Sequence, residues 1–269
     1  MKLKIILGLS IITFTSCFGQ KVKVDSLFTE FKKKSFYGNV YPAKQELENY
    51  QKIIIPELIK LLKDTSFVKL TDTADLIYPG STTFYGHGYY VPYNMDWIAV
   101  RSGWLIEELT FQDFDYKNSE VNDETFMKLM KENYNYYLEK GNYDLDWKNK
   151  KLDKKNIEYR KTLSKKVEKW WKENQKKWTR ISAIKEALKS NNENRLSNVF
   201  QYLRYGDSKC DNMTEELYNI EIKPIIVSLK ETIEYSEIQQ QIELLLDSTI
   251  SSKIVDTKIT VNSGNGFRY

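Results

Sequence analysis

From Glu158 to Ser190 the apolar residues Leu163, Val167, Trp170, Trp171, Trp178, Ile181, Ile184 and Leu188 recur at helical spacing. Residues three and four apart share one face of a helix, whereas a strand would throw them onto alternate faces. The stretch predicts one long amphipathic helix, or two broken near Thr179, whose hydroxyl suits an N-cap. The same period returns along most of the chain. Ala43 to Tyr50 follows Pro42, a residue suited to a first helical turn. Ile53 to Lys63 puts Ile55, Leu58, Ile59 and Leu62 on one stripe. Asp96 to Thr110 groups Trp97, Val100, Trp104 and Leu105 as a buried helix. Asn122 to Lys140 is a further helix, with Gly141 as a natural residue just past its end. Arg195 to Tyr205 (ended by Gly206), Pro224 to Ile233 and Ser236 to Asp247 complete the set. Strand signals are sparse. Thr82 to Tyr93, TTFYGHGYYVPY, reads as a short hairpin or loop around Gly86-His87-Gly88. Lys253 to Val261 alternates only weakly.

The run IIPELIKLLKD resembles the second helix of a HEAT-type repeat, a family of stacked helical pairs. It covers eleven residues once, and no second copy stands at a 35–45-residue period. The expected fold is mainly α: an irregular or HEAT-like helical bundle of roughly eight helices, with a short aromatic β-hairpin or loop near residues 82–93. The expected organisation is a single helical domain over 20–269, with a division into two lobes near 144–153 kept open.

The first twenty residues, MKLKIILGLSIITFTSCFGQ, have the form of an export signal. Lys2 and Lys4 precede an apolar stretch from Ile5 to Ser16, too short to span a bilayer and suited to a secretory signal. Two processing routes fit. Cleavage after Gly19 would remove residues 1–19 and leave small residues at the −1 and −3 positions. Alternatively Phe14-Thr15-Ser16-Cys17 resembles a relaxed bacterial lipobox, which would make Cys17 a lipidated N-terminus. The expected location is the periplasm, or the outer membrane as an anchored lipoprotein. No transmembrane span is expected in the mature chain. Loss or lipidation of Cys17 leaves Cys210 as the sole thiol, so no internal disulfide is expected.

Charge is strongly segregated. Lys148 to Arg180 holds fourteen Lys and Arg against four acids. Leu70 to Tyr116 holds no lysine at all, one base, Arg101, and seven acids. That segment also carries eleven aromatic residues and the chain's one histidine. Two readings fit it and do not exclude each other. It is a distinctive acidic aromatic surface, or it is the most buried part of the chain, since lysine avoids cores.

His87 is the one imidazole, flanked by glycines that let backbone approach a ligand. It suits a general base near neutral pH, with Asp96, Glu107 or Glu108 as carboxylate partner. Tyr85, His87, Tyr90, Arg101 and Trp104 are the expected ligand-binding residues, because aromatic rings give large, rigid contact area. Glu107 stands three after Trp104, on the tryptophan side of its helix. Arg101 and Glu108, seven apart, roughly share a face. Asp72, Asp75, Asp113 and Asp115 offer oxygens, but no calcium-loop signature accompanies them, and no metal or other cofactor is expected. Gly-rich phosphate loops, HExxH and GxSxG are absent. The basic stretch has twelve lysines and two arginines, so an anionic surface or lipid suits it better than nucleic acid, where bidentate arginine serves phosphate.

These features lead to the expectation of an exported bacterial cell-envelope binding protein. It would be non-enzymatic and would use an acidic aromatic surface at about 78–116 for a protein or glycan partner. The alternative is an envelope hydrolase using His87 with one of the three carboxylates.

Overall fold

Helix is what the apolar period builds. The computed structural model describes residues 22–66, 68, 70, 97–116, 154–205 and 213–247, and among these the architecture is mainly α, with no strand. α1 covers residues 22–31 and buries Val24, Phe28 and Phe31, spaced by one helical turn. A π-helical turn, Phe36–Val40, runs into α2, Tyr41–Glu48. α3, Ile55–Leu61, carries the HEAT-like run and buries Ile55, Leu58 and Leu61. α4 is Ile98–Thr110. α5, Lys154–Asn174, and α6, Arg180–Leu188, are the two parts of the long periodic stretch. α7 is Glu193–Tyr205. α8 opens at Glu215–Leu217, passes through a π-helical turn at Tyr218–Ile222 and continues as Lys223–Lys230. α9 is Ser236–Leu246.

The break between α5 and α6 has a local cause. Thr179 is extended, and its hydroxyl accepts the Ser182 amide at 3.1 Å. The Ser182 hydroxyl in turn accepts the Thr179 amide at 3.1 Å. This reciprocal cap satisfies two amides that a helix start leaves open. Thr214 caps α8 in the simpler way, accepting from the Leu217 amide at 3.1 Å. Periodicity alone placed the start of α8 near Pro224; the added turns come from Thr214 followed by Glu215 and Glu216, acids favoured in a first turn.

α4 is the axis of the fold. Twelve of its thirteen residues are buried, and it packs on α3, α6 and α7. The buried side chains form two clusters. The first joins α1 to α4 with Leu163 and Val167 of α5. The second joins α6 to α9 with Ile55 of α3, Phe111, Trp171 and Trp178. The dividing point along α5 thus lies between Val167 and Trp171. Ile59 and Trp170 pack against both clusters. Among the described residues no helix is long and apolar enough to cross a membrane.

Several expectations lie outside the described residues: the export signal with Cys17, Cys210, the hairpin or loop at 82–93 with Tyr85, His87 and Tyr90, Asp96, the helix at 122–140, the division near 144–153 and the tail.

Candidate functional site

The described part of the acidic aromatic segment, Trp97 to Tyr116, is internal. Trp97, Trp104, Phe111, Phe114 and Tyr116 are all buried. For these twenty residues the lack of lysine follows from burial, and they do not form an exposed surface.

Arg101 is 1 % exposed. Its guanidinium donates to the carbonyls of Phe31 at 2.6 Å, Lys33 at 3.3 Å and Val68 at 3.2 Å. It also lies over the Phe31 ring, 5.9 Å from the centroid. Phe31 is the last residue of α1 and Lys33 stands two beyond it, at a helix end that leaves acceptors unmet and favours a cation. Arg101 and Trp104, expected at a ligand surface, therefore face the interior. The Trp104 indole donates to the Tyr116 carbonyl at 3.0 Å.

Glu107 is 2 % exposed, and one carboxylate oxygen accepts the amides of Phe114 at 2.8 Å and Tyr116 at 2.9 Å. Its position on the tryptophan side gives it that loop to hold. Glu108 points elsewhere and pairs with Lys44 at 2.7 Å rather than with Arg101. The adjacent glutamates thus diverge, as helix geometry requires.

The loop after α4 is tied at nearly every residue. Phe111 adopts the left-handed region at φ 52°, uncommon for a bulky side chain. Its carbonyl accepts from Arg195 at 2.8 Å, and its ring packs on Tyr202. The Arg180 guanidinium stacks on both rings, 5.3 Å from Phe111 and 4.2 Å from Tyr202. Asp113 accepts from the side-chain amides of Asn192 at 3.0 Å and Asn194 at 3.1 Å, and from the Asp115 backbone amide at 3.0 Å. Burial opposes ionisation of Asp113, but these three donors, with the nearby Lys166 charge, prevail and hold its carboxyl below the usual range. Asp115 accepts from the Tyr159 hydroxyl. Of the four aspartates weighed as calcium ligands, Asp72 and Asp75 lie outside the described residues, and Asp113 and Asp115 are engaged by protein donors; no metal-binding group of three or more His, Cys, Asp or Glu occurs among the described residues. Tyr116 lies over Gly103, where an added Cβ would come within 2.3 Å of the ring. Burial first, and the nearby Glu107 second, push the Tyr116 hydroxyl well above its ordinary pKa.

A groove of about 330 Å³ opens where α5 crosses the end of α3 and the start of α4. Leu62 and Ala99 supply an apolar floor. Lys161 and Lys165 stand exposed at its rim. Lys63 and Glu168, also on the rim, pair with each other at 2.6 Å. Arg160 and Ser164 form the wall, 5 % and 3 % exposed. The Arg160 guanidinium lies over the Trp97 ring, 5.1 Å from its centroid. The Ser164 hydroxyl has no hydrogen-bond partner among the described residues. The sequence carried a signal for this wall. Arg160, Ser164, Val167 and Trp171 follow the helical stripe, so two polar residues occupy an otherwise apolar face.

From Lys161 to Lys172, α5 turns its lysines away from that face. Lys161, Lys165, Lys169 and Lys172 are exposed, while Trp171 and the following Trp178 are 7 % exposed. The tryptophans serve the core, and the lysines form a solvent-facing row that runs into the groove rim. Compared with protein-family models, with curated protein sequences and with solved structures, the chain finds no match in any of the three.

Proposed function

We propose that this chain is an exported bacterial cell-envelope binding protein that meets an anionic partner on the lysine row of α5. The observation that carries the reading is the sorting of α5: tryptophan inward, lysine outward, on one helix. The acidic groups of α4 support the same reading. Glu107 holds two loop amides and Glu108 holds Lys44, so their described bonds serve the fold rather than a reacting centre. A second contact region, for a protein or glycan partner, is proposed at Tyr85, His87 and Tyr90.

The test is co-sedimentation with vesicles of phosphatidylglycerol and phosphatidylcholine, against phosphatidylcholine alone. Each basic side chain near an anionic surface contributes about 1 kcal/mol, within a screening length of about 10 Å at 0.1 M salt. The expected outcome is binding to the anionic vesicles alone, lost at high salt. Reversing Lys165, Lys169 and Lys172 to glutamate lowers it by about two orders of magnitude or more. Absence of binding at low salt, or binding indifferent to the triple reversal, removes this reading.

A further inference from the structure

We infer that the groove between α3, α4 and α5 binds a free single-chain carboxylate with an alkyl tail. The floor of Leu62 and Ala99, extended by lysine methylene stems, offers hydrocarbon surface and few hydrogen-bonding groups. A glycan would leave its hydroxyls unmet there, and an alkyl chain would not. The volume of about 330 Å³ lies at the lower end of small-ligand sites, which suits one chain rather than a two-chain lipid.

The rim selects the head group. Lys63 and Glu168 offset one another, which leaves Lys161 and Lys165 as the net charge at the mouth. Lys161 also pairs with Glu158, one turn outside the groove, through an exposed contact at 2.9 Å that an incoming anion can replace. Two ammonium groups supply point charges for an anionic head group, and a carboxylate is the smallest one that a single alkyl chain carries in a groove of this volume. The buried Ser164 hydroxyl adds a donor at the wall. The anionic preference rests on the reading of the lysine row given above; the apolar floor does not depend on it.

The experiment is isothermal titration of the full chain with decanoate below its micelle concentration, with 1-decanol as the neutral control. Alanine-methyl NMR reports on Ala99 in the floor. Decanoate is expected to saturate one site, shift the Ala99 methyl and bind about tenfold more tightly than decanol. The Lys161→Glu/Lys165→Glu variant is expected to remove that tenfold preference. Thr65 is exposed at the mouth, so Thr65→Trp is expected to block the site without unfolding the chain, which circular dichroism verifies. Equal binding of decanoate and decanol, no shift at Ala99, or unchanged binding in folded Thr65→Trp overturns the inference. Vesicle binding run in parallel separates the two readings. Vesicles bound with decanoate ignored sinks the groove alone, and the reverse sinks the lysine-row reading and leaves the groove.

Discussion

In the first cluster, Arg101, Glu107 and the Trp104 indole direct their described hydrogen bonds to main-chain groups of other segments. In the second, Ile184, Ile222, Ile226, Ile238 and Ile242 pack as hydrocarbon. There, as for the Ser102 hydroxyl of α4, the Trp178 indole and Tyr218 hydroxyl are buried with no hydrogen-bond partner among the described residues. Burial alone raises the Tyr218 pKa. The difference is one of direction. Hydrophobic contact is proportional to area and tolerates sliding, whereas a carboxylate holding two amides fixes position and angle. The first cluster gathers the end of α1, residue 68, α4 and an irregular loop, which have no shared repeat to align them. The second gathers consecutive helices, α6 to α9, which pack by apolar stripes.

The largest effect is expected at Glu107. Its truncation to alanine leaves the amides of Phe114 and Tyr116 buried without their acceptor. Two such losses cost about 4 kcal/mol, against about 1 kcal/mol for Ile242→Val, a one-methyl change in the second cluster. Urea unfolding followed by circular dichroism measures both. Glu107→Gln keeps an oxygen in place and is expected to recover much of the loss. Equal costs for Glu107→Ala and Ile242→Val would erase the distinction between the two clusters.

That distinction marks what the sequence discloses. The helices were legible because period 3.6 is local: α5, α6 and α9 fall close to where their stripes put them, and Thr179 marks the break. The inward face of Glu107 followed from its offset of three from Trp104. The role of Arg101 did not, because its acceptors Phe31, Lys33 and Val68 lie 70, 68 and 33 residues away. No pattern of spacing encodes a contact at that range. The acidic aromatic composition suggested a surface, but composition does not separate an aromatic patch from an aromatic core. From Trp97 to Tyr116 the core reading prevails. The groove was half-legible, through Arg160 and Ser164 on an apolar stripe, while Leu62 and Ala99 needed the packing of α3 against α4 and α5.

A smaller effect is expected where the two clusters are joined, at Asp113. Asp113→Asn can turn an amide group toward the amides of Asn192 and Asn194, setting donor against donor. The cost expected near pH 7 is about 2 kcal/mol, the scale of hydrogen bonds to a charged group. Its pH dependence follows from the depressed folded-state pKa. The unfolded chain keeps the ordinary value of 3.8, so the contribution is fully present above that pH. It is lost as pH falls from there through the lower folded value. The gap between parent and variant should stay constant through the mildly acidic range and close only in stronger acid. A gap that closes nearer neutrality would assign it to another group.

The smallest effect decides whether the two clusters unfold as one. Thr179→Ala removes one half of the reciprocal cap on α6 and is expected to cost about 1 kcal/mol. The site lies wholly on the side of the second cluster, so native-state hydrogen exchange can follow where the loss travels. Phe111 belongs to the second cluster, and Phe114, three residues on, belongs to the first. α5 likewise contributes Val167 to one and Trp171 to the other. Opening either cluster fully would have to pull on that loop or that helix. The slowest amides of α4 should therefore lose protection by the same factor, about fivefold, as those of α7 and α9. If α7 and α9 lose protection while α4 keeps its own, the joints at 111–114 and 167–171 transmit nothing. The polar-fastened and apolar clusters would then be separate cooperative units.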